Sequence, residues 1–224
     1  MNEINYNTTT PLGTLLRALG DLLVLNILWL FTSLPIITTG AASSAVFSVL
    51  LRRDRNGELP VIRTYFKNFA AGFGKSTLLW LLTLALAFVA WIDFRFALTF
   101  EGALRTLYLV LGAAIALSAA VIACLAIPQQ ALFENTFKNY LKNAFAAAFV
   151  APWKFVQLVL LWFVPFWFVA IRLPMGVVAK FGVILFLWGF SGPAFLASHV
   201  LNKIFNKFMP EEEKDEQNGS KEES

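Results

Sequence analysis

Residues 22–51 read LLVLNILWLFTSLPIITTGAASSAVFSVLL, thirty residues without Asp, Glu, Lys or Arg. A single helix over Leu15–Leu51 would reach about 55 Å at about 1.5 Å per residue, whereas a bilayer core is about 30 Å thick. The stretch must therefore break. Pro35 removes a backbone donor, and the TTGAASSA around Gly40 supplies residues that start helices. The reading is a tight hairpin with spans at 15–36 and 40–53, or one span followed by a re-entrant or interfacial helix. Gly40, Ser44 and Ser48 recur at steps of four, as do Ala41 and Ala45. Such a face lets helices approach closely. Gly40, Ser44, Pro35 and the mid-helix Asn26 are thus candidates for packing and turn roles, with Asn26 making an interhelical hydrogen bond.

Working outward, four more charge-free runs follow: Ser76–Ile92, Thr106–Phe133, Phe155–Ile171 and Phe181–Asn202. They give spans at 76–98, 105–127, 152–172 and 179–201. Hydrophobic residues make up 58% of the 224 residues and charged ones 14%. Soluble domains run near 45–50% and about 25%. The expected fold class is all-α: a polytopic helical membrane bundle of about six transmembrane helices, or five, forming one integral domain over residues 1–208. Its first partner is the lipid bilayer. Residues 209–224 hold seven acids and two lysines and read as an acidic disordered tail. The preceding 208 residues carry sixteen basic and seven acidic side chains, about +9 net. The opening MNEINYNTTTPLG lacks the positive region of a signal peptide, so it reads as retained.

Basic residues set orientation. Arg52, Arg53, Arg55, Arg63, Lys67 and Lys75 lie between the second and third spans, Lys138, Lys142 and Lys154 between the fourth and fifth, and Lys203 and Lys207 after the last. All three clusters fall on one face, taken as cytoplasmic. Six spans then place both termini in the cytoplasm, and five place the N-terminus outside.

Two of those segments resemble each other. Tyr65–Phe73 reads YFKNFAAGF and Tyr140–Phe149 reads YLKNAFAAAF. Each is amphipathic at helical period. Ile62, Tyr65, Phe66, Phe69 and Phe73 share one face of the first. Phe133, Phe137, Leu141, Phe145 and Phe149 share one face of the second. The expectation is two amphipathic interface helices, 61–74 and 131–149, with Tyr65, Lys67, Asn68, Tyr140, Lys142 and Asn143 as candidates for docking a protein partner.

The first copy runs into GKST at Gly74–Thr77, the tail of a phosphate-binding loop. That loop needs G-x-x-x-x-G-K-[ST] after a strand, so its backbone N–H groups can wrap phosphate. The first glycine is replaced by Phe69, an amphipathic helix precedes, and the second copy has Val150 where Gly74 would fall. No nucleotide is expected to bind. Gly72 and Gly74 read instead as a bend between interface helix and span, with Lys75 reaching the boundary.

The opening stretch, with Gly20-Asp21, Asn26, Trp29-Leu30, Pro35 and Thr39-Gly40-Ala41, resembles the YesL family of bacterial integral membrane proteins. The YFKNF and LKNAF segments fit as well, and the resemblance extends to about Phe208. The acidic tail and His199 depart from the family pattern. The family has no established biochemical activity. The resemblance implies a bacterial plasma membrane and an association with carbohydrate uptake systems.

Chemistry is sparse. Ionisable groups inside spans usually carry protons, ions or catalysis, and the charge-free runs contain none of the acidic or strongly basic kind. Asp21, Asp93, Arg95 and Lys154 fall at boundaries, and Arg17 with Asp21, four apart, suits a pair along one helix. One histidine, His199, and one cysteine, Cys124, allow neither a histidine metal cluster nor an intrachain disulfide. No H-E-x-x-H, G-x-S-x-G or C-x-x-C occurs. The expectation is no enzyme, no cofactor, no metal, no nucleic acid and no catalytic residue. Gly189–Pro193 (GFSGP) breaks the last span; broken helices line substrate sites in transporters. Gly192 and Pro193 therefore carry a second reading, a small transporter or channel, beside that of a non-catalytic accessory subunit.

Overall fold

The computed structural model describes residues 11–56, 59–170 and 189–206. All regular elements among them are helical. The quoted stretch does break at Pro35. Helix α1, Pro11–Ser33, ends just before it, a short 3-10 turn covers Ile36–Thr38, and α2 occupies Thr39–Asn56. The break satisfies its own polar groups. The Thr38 N–H donates to Pro35 O at 2.8 Å, and the Thr38 hydroxyl reaches Thr32 O at 2.5 Å.

α2 is the centre of the bundle. Ala41, Ala42, Ala45, Val46, Phe47, Val49, Leu50 and Leu51 are buried, as are Ser44 and Ser48. A helix buried on every side is a core pole surrounded by other helices. Gly40 marks its tightest contact: a Cβ placed there would sit 2.5 Å from both Ser76 O and Trp80 Cβ. The small residues at steps of four thus bring α2 against the next helix, as their spacing implies.

That helix corrects one expectation. α3 runs without interruption from Val61 to Ala97, 37 residues. The separate amphipathic helix 61–74 and span 76–98 are one element, with no break at Gly72 or Gly74. The physical reason is that a helical glycine costs only about 1 kcal/mol relative to alanine. Without a proline or a cap, two glycines do not stop a helix. At about 1.5 Å per residue α3 measures about 55 Å, so it extends well beyond a bilayer core.

α4, Gly102–Gln129, returns along α3. Gly102 sits at φ +63°, the left-handed turn conformation that favours glycine. Near its end α4 widens into a π turn over Ile122–Ala126. Pro128 explains the widening: it has no N–H to offer the preceding turn, and a π turn absorbs such a lost bond.

The second repeat behaves differently from the first. Helix α5 covers Phe137–Val150, not 131–149, because Thr136 caps its N-terminus, accepting from the Asn139 N–H. α6, Pro152–Ala170, follows after a bend of 105°. Pro152 drives Ala151 out of the helical region, to φ −134° and ψ 60°. A proline stands at this junction and none at the equivalent point of the first copy.

α7, Ser191–Phe205, begins where the GFSGP break was expected. The first ten residues of the expected span 179–201, from 179 to 188, lie outside the described residues, as does the tail 209–224. By length and composition three helical stretches suit a bilayer: Leu15–Ser33, Val61–Ala97 and Gly102–Gln129. The bent pair Phe137–Val150 and Pro152–Trp162 makes a fourth if it acts as one broken span. The finding is therefore three to four membrane-competent helices among the described residues, where six spans were expected. α2 drops out because its 18 residues end in the charged Arg-Arg-Asp-Arg.

Candidate functional site

The two Y-x-K-N segments divide into buried anchors and an outward face. Tyr65 is wholly buried, and its hydroxyl lies 2.6 Å from Thr32 Oγ1. The Thr32 proton points to Leu28 O at 2.8 Å, which makes Tyr65 the donor. Tyr140 is buried too; its hydroxyl donates to Phe133 O at 2.7 Å and accepts from the Asn135 N–H at 3.0 Å. Both tyrosines, expected as candidates for docking a partner, are buried within the chain's own bundle. Each buries an aromatic ring while its hydroxyl finds a partner, as buried tyrosines generally do.

The lysines and asparagines face the other way. Lys67, Lys142 and Asn143 are exposed; Asn68 is half-buried and donates to Thr64 O at 2.7 Å. The aromatic stripes do not bury uniformly. Phe69 and Phe145 pack against the core, while Phe66, Phe73 and Phe149 stay exposed.

The two boundary lysines tie elements together. Lys75 donates to Asn135 O at 3.0 Å, in the turn before α5. Lys154, at the start of α6, reaches Lys203 O near the end of α7 at 3.4 Å. A cation near a helix C-terminus is favoured by the exposed carbonyls there. Ser76 of GKST donates to Gln130 Oε1 at 2.9 Å. GKST is therefore ordinary helix, whose N–H groups are already spent on the helical ladder. Lys75→Ala should leave ATP binding at background in a filter-retention assay. Specific retention by the wild type that the variant loses would show the segment has been misread.

Asn26 does make the expected interhelical bond, in a sharper form. Buried at 1% exposure, its Oδ1 accepts from the N–H groups of Phe190 and Ser191 at 3.0 and 3.2 Å. It thus caps the start of α7 from α1. Trp29 stacks on Phe190 with ring centroids 4.1 Å apart and donates to Ser43 Oγ at 3.1 Å. Pro193 sits in the first turn of α7, where its missing N–H costs no helical bond.

Gly192 and Pro193 line a groove of about 660 Å³ between α6 and α7, whose other walls are Leu158, Leu160, Leu161, Leu196, Val200 and Gln157. Among the described lining residues Gln157 alone brings a side-chain amide to it. The arginines and Asp21 gather elsewhere, and Asp21 pairs with Arg53 at 2.5 Å across the α1–α2 hairpin. Arg53 lies 32 residues from Asp21 in sequence, so this pair joins two helices.

The segment from within α1 to near the end of α3 carries most of this geometry: Asn26, Pro35, Gly40, Tyr65 and GKST. Residues 22–94 match the family described as Protein of unknown function, DUF624. The DUF624 match covers about a third of the chain. It takes in the α1–α2 hairpin and the first Y-x-K-N copy, but not the second. No curated protein and no solved structure matches the chain.

Proposed function

We propose that this chain is a multi-pass protein of the plasma membrane and a non-catalytic accessory or scaffold subunit, whose basic face docks a membrane or cytoplasmic protein. The observation that carries this reading is the shared build of the two Y-x-K-N segments. In each, a buried, hydrogen-bonded tyrosine fixes the helix, and a lysine two residues on faces outward. Rigid helices presenting exposed lysines suit partner recognition better than chemistry. The basic clusters support a cytoplasmic position for this face and for both termini. The YesL resemblance points to a carbohydrate importer as the class of partner.

A second reading, a small transporter or channel, draws on the groove beside the broken start of α7. Its apolar lining favours the subunit reading, because a polar solute needs hydrogen-bonding groups along its path.

Lys67, Asn68, Lys142 and Asn143 changed together to alanine should insert normally, each substitution costing within about 0.5 kcal/mol. A partner that co-purifies with the wild type in mild detergent should be lost from this variant. The lysine contribution should fade as salt rises. Retention of every partner by a folded variant sinks the docking reading and favours the carrier. Misfolding would make these residues bundle contacts.

A further inference from the structure

Where α2, α3 and the end of α4 meet, polar side chains gather around Gly72. A Cβ placed on Gly72 would lie 3.3 Å from Ser76 Oγ and 3.9 Å from both Gln130 Oε1 and Ser44 Oγ. Side-chain oxygens from three stretches of the chain thus ring one small space, which the missing side chain of Gly72 leaves open. Gly72 itself is half-buried, whereas Ser44 and Ser76 are buried. The second repeat has Ala148 where the first has Gly72. Alanine is the better helix former, so glycine at this point serves space, not helix. Hydrogen bonding around the niche is incomplete. Ser76 donates to Gln130 Oε1, but the buried Gln130 Nε2 has no partner. Gln129 Oε1 and Thr77 Oγ1, on the residues next to Gln130 and Ser76, have none either. Among the described residues Ser191 Oγ is the one further buried side-chain atom of this kind. Buried polar groups are ordinarily paired, with protein or with ordered water. Three orphaned atoms beside one oxygen-lined niche point to a small polar ligand there.

We propose that this niche binds one water molecule, which accepts from Gln130 Nε2 and donates to the hydroxyl oxygens of Ser44 and Ser76. A buried water makes about three hydrogen bonds to groups that otherwise lack a partner. A metal cation does not suit the site: Ser44, Ser76, Thr77, Gln129 and Gln130 carry no negative charge, and an orphaned amide N–H repels a cation. Water-mediated bonds are nearly as good as direct ones, so the molecule ties α2 and α3 to the end of α4.

The test uses the isotope-labelled full chain in phosphatidylcholine vesicles and reads magnetisation transfer from water to amide groups by solid-state NMR. The Gln130 side-chain amide should receive magnetisation at short mixing times, while the backbone amide of the fully buried Ala45 stays dark. Gly72→Ala fills the niche and should abolish the Gln130 signal. Gly74→Ala makes the same change on the same helix, with nothing within 4 Å, and should preserve it. Should Gly72→Ala not fold, Ser44→Ala removes one acceptor, leaves the bond between Ser76 and Gln130 in place, and should weaken the transfer. Ser48→Ala should not, because that hydroxyl serves Ala45 O of its own helix. A Gln130 amide as dark as Ala45 in the wild type, or a signal unchanged in the folded niche variant, overturns the proposal. A Gln130 resonance that moves when sodium replaces a bulky organic cation would make a metal ion the occupant and overturn it as well.

Discussion

Gly40→Leu should yield no monodisperse protein in mild detergent, whereas Gly74→Ala should raise the melting temperature. The two glycines share a helical backbone and differ in what surrounds them. At Gly40 even a methyl group would meet Ser76 O and Trp80 Cβ at 2.5 Å. Neither neighbour can swing aside: one is backbone and the other is the root of a side chain. The clash can be relieved only by moving α3 away from α2, the central helix. Overpacking typically costs about 1–3 kcal/mol for small insertions. Alanine should fall in that range and leucine beyond it. At Gly74 nothing lies within 4 Å. There alanine removes the conformational freedom of glycine and should gain up to about 1 kcal/mol. Thermal melts of the three variants decide it. A Gly40→Leu protein melting like the wild type would mean that α2 and α3 do not cross at this point.

Asn26→Leu should destabilise the bundle by about 2–4 kcal/mol, read as a lower melting temperature and faster proteolysis near α7. The side chain is nearly isosteric, so packing is largely kept and the hydrogen bonds are lost. Its Oδ1 serves two backbone donors, those of Phe190 and Ser191. Each buried donor left without a partner costs about 1–3 kcal/mol. Trp29 should still stack on Phe190, which limits how far the turn can open to water. Asn26→Asp supplies the same acceptor geometry and should retain most of the capping, offset by the cost of a buried charge. If Asn26→Leu melts within 1 °C of the wild type, the cap contributes nothing and α7 is held by its apolar face alone.

The parts of this structure that were legible in the sequence depend on near neighbours. Pro35 marks the break because proline acts on its own helix. Gly40, Ser44 and Ser48 announce a close crossing because a small-residue stripe has little other use. Asn26 announces a polar contact because an amide in a long apolar run needs one. What stayed hidden depends on distant partners. Nothing local to Tyr65 names Thr32, 33 residues earlier, or shows that the ring turns inward. One signal was present: both repeats keep tyrosine, not phenylalanine, at the first position, and a hydroxyl on an otherwise apolar face needs a partner. The continuity of α3 was also readable. Pro152 follows the second copy and no proline follows the first, so only the second should bend. The ion pair of Asp21 with Arg53 was out of reach, because helix spacing names only Arg17 and it takes the hairpin to bring Arg53 to Asp21.

The cap on α7 also constrains the order in which the chain can be completed. The acceptor on Asn26 and the Phe190 N–H are separated by 164 residues. At about 5–20 residues per second, α1 leaves the ribosome about 8–33 s before that donor exists. Throughout that interval the Asn26 carbonyl must be served by something transient: water, the insertion machinery or a neighbouring hydroxyl. α7 is thus the lock on α1, and this part of the bundle closes only once residues 190 and 191 have been made. A ribosome stalled before residue 190 would leave a nascent protein that has its hairpin and its long rod, yet still displays an unspent polar group to the cell's membrane proteases.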